Sequence, residues 1–369
     1  MKKMTKLIAW VLFAFMLTGL LAGCAGETAQ DTPAPAQGGQ EPAQDTQTPA
    51  APPADGPGDE PIRIGVSFAT EVAARFRFDE RFMLEKAEEL GVELLVQWAN
   101  YDATRQTNQV ENLITQGVDA IIIIGVSNNI SPLIYRVRET GIPVVSYDQF
   151  ILYAPVDAHL DRDNFDAGRI QIEAAIAHTG GQGNFVLLKG DPASSVAQAM
   201  GEAYRYVLQN YPNINVVIEQ FHSGWSAEAA LMTAENAITA TEGNIDAFVA
   251  SADVLALGIM PAVRAAGLDG TVFISGMDCE IPAMQLIDQG VMTISVWTKI
   301  DQQARQAVEA AYNLIRGRPV EYNYLVTTGQ YEIRKISVPI LGITRDNLED
   351  WVDNIAPPGW ITREDVFVN

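Results

Sequence analysis

From Ile62 onward the chain alternates short apolar runs with stretches in which apolar residues recur every three or four positions. Runs such as Ile62–Phe68, Val92–Trp98, Asp119–Gly125 and Ile142–Tyr147 are rich in β-branched residues and read as strands, the Ile-rich third one buried on both faces. Between them, Phe78–Gly91, Thr104–Gln116 and Ser131–Thr140 carry helical periodicity, with Met83, Ala87 and Leu90 on one face of the first. Strands spaced about 25 residues apart with one helix in each interval make βα units, and such units build a parallel sheet covered by helices on both sides.

The rhythm restarts after Asp161-Arg162-Asp163-Asn164. Helices are expected over Asp166–His178, Ser195–Asn210, Ala227–Thr241 and Leu255–Ala266. Strands are expected over Asn184–Lys189, Ile214–Phe221, Ile245–Ser251 and Thr271–Met277. The halves echo each other: Glu111-Asn112-Leu113-Ile114-Thr115 leads to Val118-Asp119-Ala120, and Glu235-Asn236-Ala237-Ile238-Thr239 leads to Ile245-Asp246-Ala247. The fold class is therefore α/β, with two similar lobes in tandem. The tail adds a strand at Met292–Trp297, a helix at Ile300–Arg316, a strand at Tyr322–Val326 and a short helix at Asp346–Asn354. A chain that returns to both lobes after building the second makes a hinge of several segments.

One strand in each half ends in a carboxylate, Asp148 after Tyr147 and Asp278 after Met277. Ligands of open parallel sheets sit outside the carboxyl ends of the strands, so two such ends suggest one polar ligand shared between the lobes. The competing reading makes each Asp the N-cap of a following helix.

The first residues change the picture of where this body resides. Lys2, Lys3 and Lys6 precede an apolar run from Leu7 to Leu17 and then Leu21-Ala22-Gly23-Cys24, an export signal too short for a membrane span. Leu-Ala-Gly-Cys resembles the bacterial lipobox, which implies cleavage before Cys24 and its lipidation; the alternative is an ordinary signal with a chance Cys. Cys279 is the other thiol of the chain, so no intramolecular disulfide forms in the mature protein. Residues 25–60 hold seven Pro and seven acidic residues and no aromatic, Leu, Ile, Val or Met. They cannot bury enough apolar surface to offset ordering, so they read as a disordered tether spanning roughly 35 Å or more. Loss of the three signal lysines takes the formal charge from −22 to −25, which disfavours nucleic acid as a partner.

Other chemistries find no support. Asp161-x-Asp163-x-Phe165 lacks the oxygen and glycine of a calcium loop. Gly180-Gly181-Gln182-Gly183 follows a helix instead of opening one, and no P-loop, HExxH, CxxC or GxSxG occurs. His159, His178 and His222 are dispersed and read as solvated. No metal, cofactor or catalytic residue is expected.

Short stretches in register over roughly Ile62–Leu325 resemble the bacterial sugar-binding proteins of ABC transporters, in the ribose/galactose/xylose group, and the xylose-binding pattern in particular. They include Val96-Gln97-Trp98-Ala99-Asn100, Gly117-Val118-Asp119, Tyr147-Asp148, Asp163-Asn164 with Gly168, His222-Ser223-Gly224-Trp225, Ala250-Ser251-Ala252-Asp253 and Ile274-Ser275-Gly276-Met277-Asp278. The resemblance implies two Rossmann-like lobes with parallel sheets joined by a three-segment hinge, a monosaccharide in the cleft, an ABC permease as partner, a monomer and no catalysis. A sensor presenting bound sugar to a membrane kinase or chemoreceptor is the alternative; an enzyme and a DNA-binding repressor are disfavoured. The expected organisation is 1–23 signal, 24–60 tether, 61–162 plus 297–325 first lobe, and 163–296 plus 326–369 second lobe.

The resemblance also implies site residues. Arg75 and Phe76 match an Arg-Trp pair that clamps and stacks, against the alternative of a surface Arg. Asp148 and Asp278 would accept sugar hydroxyls, and Trp225 would stack unless it is only structural. Asp253 falls in a matching stretch, Trp297 is a ring at the third crossing or merely core, and Asp163 with Asn164 is a hinge or ligand pair. Gln149, Ala252 and Thr298 depart from the xylose-binding pattern, which has Arg, Asn and Lys there, so a related aldose or polyol is expected with D-xylose bound weakly.

The anchor reading has a direct test. Cys24→Ala should release the protein from the membrane fraction, because a lipid and not a span would hold it; unchanged membrane association of that variant refutes lipidation.

Overall fold

The computed structural model describes residues 61–71 and 75–368, so the signal, Cys24 and the tether lie outside the described residues. Two sheets dominate it. The first has seven strands: β1 (Arg63–Phe68), β2 (Glu93–Trp98), β3 (Ala120–Ile123), β4 (Val144–Tyr147), β5 (Ala158–Arg162), β11 (Tyr324–Thr328) and β12 (Tyr331–Val338), in the order β11-β12-β5-β4-β3-β1-β2. The second has six: β6 (Gly183–Lys189), β7 (Ile214–Phe221), β8 (Ala247–Ala250), β9 (Phe273–Met277), β10 (Ile294–Thr298) and β13 (Ile340–Ile343), in the order β13-β10-β9-β8-β6-β7. All pairings are parallel except β11 with β12 and β10 with β13.

The all-apolar β3 and the runs of β4, β8 and β9 are buried at every position, as strands covered by helices on both faces must be. Helices α1 (Arg75–Leu90), α2 (Ala103–Thr115), α3 (Ser131–Glu139) and α9 (Ile300–Ile315) cover the first sheet. Helices α4 (Asn164–Thr179), α5 (Ser195–Leu208), α6 (Ala227–Ala240), α7 (Asp253–Ala265) and α8 (Ile281–Asp288) belong to the second. Starts follow local chemistry: Asp102, Asp163, Ser194 and Ser226 each accept a backbone N–H in the first turn of the helix they cap.

The chain passes between the sheets three times. Arg162 ends β5 and Asp163 caps α4; Thr298 ends β10 and α9 opens at Ile300; Val338 ends β12 and β13 opens at Ile340. Two of these crossings are tied to each other where Lys299 N donates to Pro339 O at 3.2 Å.

The third crossing falls later than the boundary expected at 325/326. The expected strand at 322–326 is the first arm of a hairpin whose second arm, β12, pairs in parallel with β5 and therefore belongs to the first sheet. Residues 297 and 298 correspondingly stay in β10 of the second sheet. β12 alternates buried and exposed positions, so it lacks the continuous apolar run that marked the inner strands. β5, Ala-His-Leu-Asp-Arg, was missed for the same kind of reason: every residue is buried although three are polar.

Trp297 is core. Its ring meets those of Trp351 and Trp360 edge-on at 5.3 Å and 5.0 Å between centroids. Trp360 also packs on Phe78 of α1 at 4.4 Å, and Arg81 of α1 donates to Pro358 O. The C-terminal segment thus straps the second lobe to the first behind the hinge.

Candidate functional site

The carboxyl ends of both sheets face one cavity of about 490 Å³, counted with its opening. Backbone strain concentrates there. Of the eight described non-glycine residues with positive φ, four line the cavity: Tyr101, Asp148, Trp225 and Asp278. Such conformations cost on the order of 1–3 kcal/mol each and persist where the surroundings over-determine them. At Asp148 and Asp278 the strained step turns the carboxylate out of the strand and into the cleft. Neither residue is a helix cap: β4 leads to another strand, and α8 is preceded by Glu280 at its cap position.

Arg75, at the first turn of α1, is 2% exposed and stands among three carboxylates. It donates to Asp148 Oδ1, lies 3.8 Å from Asp79 Oδ2 one turn on, and reaches to 3.7 Å from Asp278 Oδ1 of the other lobe. Arg162, at the end of β5, donates to the same Asp148 oxygen at 2.6 Å. Tyr147 donates its hydroxyl to Asp79. Burial alone would raise the Asp148 carboxyl, but the two guanidiniums outweigh it and hold Asp148 below the usual carboxylate range. Burial opposes the charge of Arg75, yet Asp148, Asp79 and Asp278 together raise its pKa further above the ordinary value. Asp79 is the exception: burial prevails over Arg75 and Tyr147 and pushes its carboxyl up to about 6.

Four buried side-chain atoms of this cluster have no hydrogen-bond partner among the described residues: Asp79 Oδ2 and Arg162 Nε, and the facing pair Arg75 Nη1 and Asp278 Oδ1. The facing pair belongs to cavity-lining residues, and its two atoms come from different lobes. Aromatic walls flank them, Phe76 from α1 and Trp225 from the loop after β7. The Trp225 ring lies so close over Gly190 that a Cβ there would sit 2.2 Å from it, so a side chain at 190 would displace the ring.

The lobes also touch directly beside the cavity. Gln149 Oε1 accepts from Ser194 Oγ at 3.0 Å and from Ser195 N at 3.1 Å at the start of α5. Phe150 N donates to Ser195 Oγ at 2.7 Å, and Asn128 N to Ala193 O at 2.9 Å.

The comparisons with known proteins agree with this architecture. Residues 64–319 match the family described as periplasmic binding protein domain. The chain belongs to that family. Over 310 residues it is 31% identical to the D-xylose-binding periplasmic protein of Haemophilus influenzae, covering 83% of this chain and 92% of that protein. The D-xylose-binding periplasmic protein of Escherichia coli is 32% identical over 295 residues, 79% of this chain and 89% of that one. A solute-binding protein from Clostridium phytofermentans, solved with bound β-D-glucose, superposes with a TM-score of 0.76 at 22% identity, over 82% of this chain and 99% of that one. The fold is that of the type I periplasmic binding proteins, and the protein is a binding protein and not an enzyme.

Seven of the residues singled out from the sequence line the cavity of this binding protein: Arg75, Phe76, Asp148, Gln149, Trp225, Ala252 and Asp278. Five do not. Asp163 caps α4, and Asn164 donates to Asp161. Asp253 faces away from the cleft, accepting from Ser295 Oγ and Glu280 N. Trp297 is in the tryptophan cluster, and Thr298 is fully buried at the end of β10. Two of the three histidines are buried instead of solvated: His159 meets Ser146 Oγ at 2.8 Å, and His222 lies between Lys189 O and Thr233 Oγ1.

Sequence reading missed Tyr101, Arg162, Val196, Val254 and Met277 as lining residues. Arg162 was hidden because β5 was not expected. The apolar ones carry no chemical signal that separates them from core.

The raised Asp79 carboxyl has a measurable consequence. Its folded pKa of about 6 exceeds the ordinary 3.8, so the stability it contributes is complete below the lower value and is lost as pH rises through the higher. Burial also pushes Asp253 well above the carboxylate range, which adds in the same direction. Between pH 5 and 7 the unfolding free energy should fall by roughly 1 kcal/mol on account of Asp79. In urea titrations at the two pH values, Asp79→Asn should flatten the slope; an unchanged slope in that variant contradicts the assignment.

Proposed function

We propose that the protein is the substrate-binding lipoprotein of an ABC sugar importer. On this reading it works as a monomer held outside the membrane by Cys24 and the tether, closes over one monosaccharide, and delivers it to a permease. The observation that carries the reading is the pair Arg75 Nη1 and Asp278 Oδ1, buried, 3.7 Å apart and contributed by different lobes. A sugar hydroxyl is both donor and acceptor, so one hydroxyl can give its proton to Asp278 and take one from Arg75. Bonds to charged groups of this kind contribute about 1.5–3 kcal/mol each. Phe76 and Trp225 offer aromatic surface to the apolar C–H faces of a pyranose ring. A ligand bonded to both lobes binds the closed form preferentially, and that differential affinity drives closure about the three crossings.

The ligand class we infer is a xylose-like aldose or a polyol. The D-xylose-binding periplasmic proteins of Haemophilus influenzae and Escherichia coli among its relatives support a small aldose as the ligand. Two residues argue against D-xylose itself as the best one: Gln149 has its carbonyl oxygen committed to Ser194 and Ser195, and Ala252 offers the cavity no polar group.

Calorimetry on a panel of pentoses, hexoses and polyols tests the reading. Asp278→Ala should bind the best panel sugar about 1.5–3 kcal/mol more weakly while remaining folded by circular dichroism. Equal affinity in parent and variant would remove Asp278 from the site.

A further inference from the structure

The cavity is chemically two-sided. Its hydrogen-bonding side chains come almost entirely from the first lobe: Arg75, Tyr101, Asp148, Gln149 and Arg162. The second lobe contributes one carboxylate, Asp278, and otherwise Val196 at the start of α5, Ala252 and Val254 at the start of α7, Met277 at the end of β9, and the Trp225 ring. Ala252 brings only a methyl group to the cavity. It occupies the N-cap of α7, where Ser, Asn or Asp would satisfy a first-turn amide, and it makes no side-chain cap bond. Val196 likewise stands in the first turn of its helix, buried, where the cavity meets α5. At both helix starts the side chains that line the cavity are therefore apolar, although α5 itself is capped normally by Ser194.

From this asymmetry, and resting on the sugar reading above, we propose that the preferred ligand is a deoxy sugar. Its hydroxyls gather on one edge against Arg75, Asp148 and Asp278. Its methyl or methylene edge lies against Val196, Ala252, Val254 and Met277. A fully hydroxylated sugar of the same ring size would press a hydroxyl against Val196, Ala252, Val254 and Met277, none of which has a side chain that can bond it. A buried hydroxyl without a partner weakens binding by about 10–100-fold. A methyl group in the same place loses nothing and removes apolar surface from water.

Matched pairs that differ by one hydroxyl test this. Calorimetry on the purified mature protein would compare L-rhamnose with L-mannose, L-fucose with L-galactose, D-fucose with D-galactose, and 6-deoxy-D-glucose with D-glucose. In the pair that binds best, the deoxy member should bind at least about tenfold tighter. Ala252→Asn should lower that ratio by restoring a polar group to the wall, and because Asn is a favoured N-cap residue the variant keeps its helix. Val196→Asn serves as a second, independent variant with the same expected direction. If the hydroxylated member of the best pair binds as tightly as the deoxy member, or tighter, the deoxy-sugar inference is overturned while the sugar reading stands. If no sugar of any pair binds, the sugar reading falls and this inference with it.

Discussion

The burial of one guanidinium constrains the rest of the cleft. Arg75 is almost fully removed from water, and an isolated buried charge would cost several kcal/mol after relaxation. Asp148, Asp79 and Asp278 compensate it, and Asp148 in turn is shared with Arg162. Because Asp278 belongs to the second sheet and the other members to the first, the compensation is complete only when the lobes are together. The strained backbone at Asp148 and Asp278 is the geometric side of the same constraint, since each carboxylate must leave its strand at once to reach the arginine. The chain thus crosses between the lobes three times, and the Arg75–Asp278 contact bridges them at the cavity.

Direct contacts between lobes refine that picture. Gln149, Phe150 and Asn128 bond to backbone or hydroxyl groups at the 193–195 turn, without any ligand between them. Each such bond contributes only about 0.5–1.5 kcal/mol net, less than the bonds to charge at the cavity floor. They hold the lobes in register beside the charged contact that crosses the cleft, Arg75 with Asp278 at 3.7 Å.

Much of this was legible in the chain itself. The continuous apolar strands and the helix periodicity pointed to the α/β lobes, the two Asp-terminated strands to Asp148 and Asp278, and the family resemblance to Arg75, Phe76, Gln149 and Trp225. What stayed hidden has a common physical cause. β5 carries His159, Asp161 and Arg162 into the interior, where Ser146, Lys335 and Asp148 meet them. Buried polar side chains with tertiary partners look like loop to any local pattern. β12, half exposed beside an antiparallel hairpin arm, shows alternation too weak to displace the crossing from its expected place. Trp297 and Thr298 sat where resemblance pointed to a ligand, but β10 turns both into the core.

We propose that ligand and hinge act together through Arg75 and Asp278. Small-angle X-ray scattering of the purified mature protein, titrated with its best-binding sugar, tests it most directly. Saturating sugar should lower the radius of gyration, and Arg75→Ala should abolish the change. Sugar binding with no change in the radius of gyration of the parent protein would contradict it.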